Sequence, residues 1–391
     1  MERNRRNVVA LSLETEGVTF DVSESIGSKY VFFGNRHNYY KKINKAYEDS
    51  VTNQTSINSI ISWIYGNGLD SDNQEKLDLI KKLFKPKDLK LIARDYKKYG
   101  ASCFQVAYVG TGTGRKVAKV KHHPVYKIVK GKKNKMDETD FYYHSNNWDS
   151  HNAKIVKIPA FGTSAAKLEL YYIDGANTSD DMYYSRVDYH SSLKYADSEG
   201  SIADYHVSNI KNGFTPGLLI NFNNGIPETD ELQYEIEQDV INKWGGTNNA
   251  GKIIISFNDS SENAPTIEAI PVADIDRIYE YTATESQNKI LMSHRITSPL
   301  LLGIPVKTGF SSSADELESA YKLFTSTVIK AYQQSILEAI NDVLEVNNLD
   351  DEELYFVPMV PIDFFSKEIQ EEIIKEDNSG MKIDDTIVKD L

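Results

Sequence analysis

"HRITSPLLLGI" (residues 294–304) sets a basic pair, a hydroxyl pair, a proline and three leucines between two stretches with helical periodicity. Pro299 and Pro305 lock their own φ angles and remove backbone donors, while Gly303 admits conformations closed to other residues. The reading is therefore an elbow at Pro299, Leu300, Leu301, Leu302, Gly303 and Pro305, with the leucines seated in apolar surroundings. Upstream, residues 272–295 predict a helix with apolar residues at its start (Ile275, Ile278, Tyr279, Tyr281) and near its end (Ile290, Leu291). The intervening "TATESQNK" (282–289) is polar, which suits a wall shared between subunits or facing water better than the core of one globule. Downstream, Leu317, Tyr321, Phe324, Val328, Tyr332, Ile336, Ile340 and Leu344 recur at steps of three or four and predict a long helix over 314–346 whose stripe serves core or subunit packing.

Working back from the elbow, "GLLINF", a helix over 228–244 and "GKIIISF" read as a β-α-β unit. A helix over 193–211, closed by Asn212-Gly213, leads into it. Before that come three helices, with Ser56 as the cap of the first, Asn73 to Phe84 as the second and Lys87 to Tyr99 as the third. Then follow "ASCFQVAYVG" and "RKVAKVKHHPVYKIV" as a β-hairpin, and the strands "DFYYHSN", "AKIVKIPAF" and "AAKLELYYI". "RHNYYKKINKAY" (36–47) reads as an arm that packs on something else. "ELYFVPMVPIDFF" supplies a late strand, and "SKEIQEEIIKE" a short acidic helix before a polar tail. The fold class is α+β.

Bulk properties exclude much. The 391 residues predict two or three domains, and 40% hydrophobic content is enough for packed cores. A formal net charge of −13 opposes sequence-independent adhesion to phosphate, so any basic surface must be local. One such module exists: residues 76–135 hold eighteen Lys or Arg against Asp78, Asp88 and Asp95. Its lysines read as a solvated face or as a surface that meets an acidic partner. The lone Cys103 cannot form an intramolecular disulfide, suits a reducing compartment and reads as a buried strand residue. The basic leader "MERNRRNVVALSLETEG" (1–17) is interrupted by Glu14 too early for a signal peptide. No apolar run approaches the roughly 20 residues of a membrane span, so no membrane is expected.

No catalytic motif emerges. "GTGTGRK" (110–116) has the glycines of a phosphate loop, but such a loop needs a helix next and here a strand follows. His122 and His123 are adjacent in a strand and point to opposite faces, and Asp204 and His206 diverge on a helix, so neither pair makes a metal site. The acids Glu228, Asp230, Glu231, Glu235, Glu237 and Asp239 open and follow a helix, where the dipole favours negative charge. They form a solvated face or a dock for a basic partner. No catalytic residue, metal or cofactor is expected. The rival class, a nucleotide- or metal-dependent nucleic-acid enzyme using "GTGTGRK" or these acids, is separated by ATPase and nuclease assays.

The order "IADYHVSNIKNGFTPGLLINFNNGIPE", "WGGTNNAGKIIISF", "ILMSHRITSPLLLGI" and "GFSSSADELESAYKLFTSTVIKAYQQSILEAIN" resembles the portal proteins of tailed double-stranded DNA bacteriophages, from about Ile57 to Phe365. The resemblance implies a dodecameric ring of identical subunits at one capsid vertex, through which the genome is packaged and ejected. It divides the chain into a wing (1–192), stem helices (193–212 and 272–295), a clip (213–271), the elbow and tunnel loop (296–313), a long helix with a returning wing strand (314–361), and a short crown and tail (362–391). Its partners would be the major capsid protein, the terminase large subunit and then a head-tail connector at the clip acids. Duplex DNA would pass through without sequence specificity, and the location would be the virion after synthesis in the bacterial cytoplasm. The alternative within structural proteins is another head-tail connector ring component; such proteins are usually smaller and lack this element order. The chain departs from the family at Lys330, where a proline often sits, and in the shortness of its crown. Lys307, Thr308, Gly309, Phe310, Ser311, Ser312 and Ser313 would form the tunnel loop. Duplex DNA carries about one charge per 1.7 Å, so a basic lumen would resist sliding; the lumen is expected to be acidic or neutral, with Lys307 as a cationic ring. Lys307→Glu is expected to alter packaging or DNA retention in assembled particles; unaltered values of both remove the assignment.

Overall fold

The structure is a computed structural model that describes residues 8–9, 24–27, 29–110, 112–150, 152–175, 182–211, 219–222, 227, 229–244, 254–257, 275–303 and 314–359. Glu228, Pro305, the tunnel-loop residues 307–313, the helix expected at 366–376 and the tail lie outside them. The helices are α1 (Tyr39–Asp49), α2 (Val51–Tyr65), α3 (Gln74–Leu83), α4 (Pro86–Tyr99), α5 (Leu193–Lys211), α6 (Asp230–Trp244), α7 (Ile275–Ser293), α8 (Ala314–Phe324) and α9 (Lys330–Glu345). With the sheets below they make a mixed α+β protein. The chain forms two compact units, one of residues 20–196 with 287–391 and one of residues 1–19 with 197–286. Both boundaries fall inside helices, α5 and α7.

In the larger unit, "RHNYYKKINKAY" is not an arm but the start of α1, whose Tyr39, Tyr40, Ile43 and Ala46 are buried. Its apolar face is largely tyrosine, which hides it from a reading based on aliphatic spacing. Phe33 stacks between Tyr39 and Tyr184, at 4.0 and 4.8 Å between ring centroids. The Tyr184 hydroxyl, buried with the rings, donates to Val31 O at 2.6 Å and accepts from Lys130 N at 2.7 Å, so burial leaves it no unmet bond.

The cap of α2 is Ser50 rather than Ser56: Ser50 Oγ accepts from Asn53 N at 3.1 Å, while Ser56 Oγ donates back to Thr52 O inside the helix. The six extra residues are helical because Asn53 is buried and satisfied, its amide donating to Ala46 O at 3.1 Å. At the other end Gly66 adopts φ 55°, and a Cβ there would lie 2.0 Å from Val357 O. That close approach lets the late strand Leu354–Phe356 pair antiparallel with Leu69–Ser71. Further along, Pro86 opens α4 and left-handed Gly100 ends it.

The hairpin pairs Ser102–Val109 with Lys116–His123, with Leu168–Ile173 on its far side; the second run was expected to continue to Val129, but Val125–Lys127 form a 3-10 turn and Ile128–Gly131 joins another sheet. Within "GTGTGRK", Gly112–Gly114 form a 3-10 turn that is followed after Arg115 by the strand Lys116–His123, not by a helix. Cys103 is buried in the hairpin, and burial pushes its thiol well above the usual range. A second, antiparallel sheet orders Glu24–Ile26, Tyr30–Phe33, Ile128–Gly131, Phe141–His144 and Val156–Pro159.

The long helix serves the core. Phe324, Val328, Ile336, Ile340 and Leu344 pack with residues of α2, α3 and α4 and with the hairpin. Between α8 and α9 runs a π turn, Thr325–Ile329, in which Lys330 N donates to Thr325 O. A proline at position 330 would abolish that donor, so the irregularity here comes from a widened turn instead.

In the smaller unit, Leu219–Phe222 and Ile254–Phe257 pair in parallel around α6, completing the expected β-α-β unit. Val8–Val9 adds an antiparallel strand to the free edge of Ile254–Phe257. The sequence reading grouped residues 1–192 as one body, whereas this pairing puts 8–9 in the sheet of residues 213–271. A two-residue strand has no periodicity, and its partner is set by backbone hydrogen bonds that no side-chain pattern announces. Phe222 and Phe257 stack at 5.3 Å, and Tyr205 of α5 stacks on Tyr279 of α7 at 4.6 Å. Gly200 is accommodated inside α5.

Candidate functional site

The elbow begins where α7 ends. Arg295 takes φ 57°, a left-handed conformation usually left to glycine and worth about 1–2 kcal/mol against an L side chain. Its N–H donates to Met292 O at 2.9 Å, and Ile296 N donates to Leu291 O at 3.1 Å, so the last turn of the helix is closed before the chain reverses. Pro299–Leu302 then form one 3-10 turn, opened by Ser298, whose Oγ accepts from Leu300 N at 3.4 Å, and ended by Gly303 at φ 74°.

The leucines do less than expected. All three are half-buried, and Leu301 is the one that packs against the core. Polar anchors hold the elbow instead. His294 is fully buried and stacked on Tyr189 at 4.5 Å between centroids, with Nε2 2.9 Å from Asn53 Oδ1. Because the Asn53 amide nitrogen donates to Ala46 O, its oxygen must accept, which assigns the proton to Nε2 of a neutral imidazole. Burial lowers the His294 pKa well below the usual range, as does the charge of Lys97. On the other side, Thr297 Oγ1 donates to Ala320 O of α8 at 2.9 Å.

Under the elbow lies a buried ion pair. Lys97 has no exposed surface, and its Nζ reaches both oxygens of Asp188 at 2.9 and 2.8 Å. Tyr332 donates its hydroxyl to the same carboxylate at 2.8 Å. Burial alone would raise the Asp188 pKa; the charge of Lys97 and these hydrogen bonds outweigh it, holding the carboxyl below the usual range. Lys97, Asp188, Asn53 and Thr297 carry no periodic or motif signal, and sequence reasoning missed them.

The acids of residues 228–239 separate into groups. Asp230 and Glu231 occupy the first turn of α6, where Thr229 Oγ1 accepts from Leu232 N at 3.3 Å. Glu231, Glu235 and Asp239 are exposed and spaced four apart, so they share one stripe. Leu232 and Tyr234 are exposed on the same helix. Glu237 belongs to α6 by position. His122 is buried and 2.8 Å from Asp95, whereas His123 contacts Gln105 and the ring of His144, so the two do not converge. Among the described residues no group of three His, Cys, Asp or Glu is placed to hold a metal ion, and no helix is long and apolar enough to cross a membrane.

No family model and no curated protein matches this chain. Solved structures do. A chain of the structure titled "Virion of native gene transfer agent (GTA) particle" is similar with a TM-score of 0.57 and 12% identity, over 91% of this chain and 93% of that one. A chain of "Neck of empty GTA particle computed with C6 symmetry" is similar with a TM-score of 0.56 and 13% identity, over 89% and 91%. At these identities the likeness is one of fold, and it spans nearly the whole of each chain.

The buried imidazole makes stability depend on pH. The unfolded state binds a proton near pH 6.5 that the folded state refuses, so the contribution of His294 is present above pH 6.5 and is lost as pH falls. His37 and His123, pushed down to about 3 and about 4 mainly by burial, act in the same direction. Urea unfolding between pH 7 and 5 is expected to show stability decreasing with acid. His294→Gln, which keeps a donor for Asn53, is expected to flatten that dependence by up to about 1.4 kcal/mol per pH unit; an unchanged slope would mean that His294 is charged in the fold.

Proposed function

We propose that this chain is the subunit of a portal-type ring at a capsid vertex, a conduit for duplex DNA in packaging and ejection. The observation that carries the reading is the path of the chain: it leaves one compact unit through α5, builds a β-α-β unit, and returns through α7 to an elbow and a long helix. That order agrees with the sequence resemblance. The fold likeness to chains of a virion and of a C6-symmetric neck supports assembly of identical copies into a ring. Within the proposal, residues 307–313 form the loop at the narrow part of the channel, with Lys307 as a ring of cations. The chain acts without catalysis or a cofactor. The major capsid protein surrounds the ring, and DNA passes without sequence recognition.

The stripe of Glu231, Glu235 and Asp239 is the docking face for the terminase large subunit and afterwards for a connector. Glu231 and Glu235 are exposed near the start of the helix, where the dipole favours negative charge, and such a face suits a basic partner that must leave again.

Electron microscopy of the purified protein tests the ring. Closed rings with a central hole wide enough for a double helix are expected, and a sample that stays monomeric under all assembly conditions ends the proposal. On the same rings, Glu231→Gln with Glu235→Gln is expected to weaken pull-down of the terminase large subunit; undiminished capture removes the docking assignment.

A further inference from the structure

A cleft of about 620 Å³ opens within the larger unit, between the segment around Arg186 and Asp188, the turn at Ser293 and Arg295 that closes α7, and the first turns of α9. Its walls include the rings of Tyr96 and Tyr332, edge to face at 5.3 Å between centroids. Two arginines line it, Arg186 and Arg295, and neither has an ion-pair or side-chain hydrogen-bond partner among the described residues. Arg186 Nε is buried and unpartnered, a donor removed from water with nothing to accept from it. Arg295 is delivered to the cleft by the left-handed backbone turn that closes α7.

The cleft's own carboxylates are engaged. Asp188 is held by Lys97 and by the Tyr332 hydroxyl, and Glu338 accepts from Gln334 Nε2 at 3.0 Å. The lining therefore holds two guanidiniums beside two carboxylates that already have partners, which leaves Arg186 and Arg295 without an ion-pair partner of their own among the described residues. A guanidinium offers a planar fork that matches a carboxylate, and its charge-assisted hydrogen bonds are the strong kind.

We propose that this cleft seats a carboxylate side chain from a second copy of the chain, received by Arg186 and Arg295. The inference rests on the ring reading above. A ring is closed by heterologous contacts, in which one face of each copy meets a different face of the next. The cleft has room for an acidic side chain, and a chain with 57 Asp and Glu has acids to supply. The site is complete only when the neighbour is present.

The test uses the full chain with Arg295→Lys, which puts an amine in the cleft. An equal mixture of ¹⁵N-labelled and unlabelled copies is assembled and treated with a carbodiimide that joins amines to carboxylates in contact. Peptides cross-linked at position 295 that pair a labelled with an unlabelled chain are expected. Their absence from rings that form normally, or cross-links only within one copy, overturns the proposal and leaves the ring reading intact. Independently, Arg186→Gln with Arg295→Gln is expected to raise the concentration needed for ring assembly about tenfold or more by mass photometry, at unchanged thermal stability; assembly equal to the parent's overturns it. Saturable binding of inorganic phosphate by unassembled protein without inter-copy cross-links in the rings would mark the cleft as a free-anion site and also overturn it. A parent chain that never assembles removes both readings together.

Discussion

A buried ammonium has to find a carboxylate, and the way Lys97 finds Asp188 organises the larger unit. Lys97 comes from α4, Asp188 from the segment that leads into α5, Tyr332 from α9, and Tyr189, next to Asp188, carries the stacked ring of His294 from the end of α7. One ion pair thus ties together four parts of the chain that are far apart in sequence. Replacing one partner of such a pair leaves an uncompensated charge in the interior, a cost of about 3–5 kcal/mol, so the elements are not free to drift separately. The elbow inherits its rigidity from this node. It is held by His294 on Asn53 and Thr297 on Ala320, with the leucines contributing a half-buried cover.

The long helix meets a related constraint. Its apolar stripe must stay on the core for about 50 Å at 1.5 Å per residue, and an unbroken helix drifts relative to a fixed surface. The π turn at Thr325–Ile329 absorbs one residue of that drift, and hydroxyls assist: Thr327 donates to Leu323 O at 2.6 Å and Ser326 to the same oxygen at 3.1 Å. Val328 and Ile329 remain buried through the irregular turn.

How legible the fold was depends on what kind of signal each element gives. The hairpin, the β-α-β unit, α5, α7 and the long helix announce themselves because apolar residues repeat with the period of the structure they form. Helix α1 does not, since its buried face is Tyr39, Tyr40, Ile43 and Ala46, and tyrosine counts as polar or apolar according to what its hydroxyl meets. The pairing of Leu69–Ser71 with Leu354–Phe356 is equally silent, because Gly66 and Val357 approach each other only after both ends have folded. At the candidate site, the glycine and prolines of the elbow and the acid stripe of α6 were visible, and the polar anchors were not.

By itself the sequence determined the fold class, the order of elements, the existence of an elbow at Pro299 to Gly303 and the absence of any recognisable catalytic motif. Those follow from local periodicity and from backbone restrictions that each residue imposes on itself. Only the tertiary structure decided that Val8–Val9 joins the sheet of Ile254–Phe257, that Lys97 meets Asp188, that His294 is buried and neutral, and that Arg186 and Arg295 share one cleft. Each of those joins residues distant in the chain through a hydrogen bond, a charge or a shared wall. Such partnerships depend on distance in space, which a one-dimensional pattern does not encode.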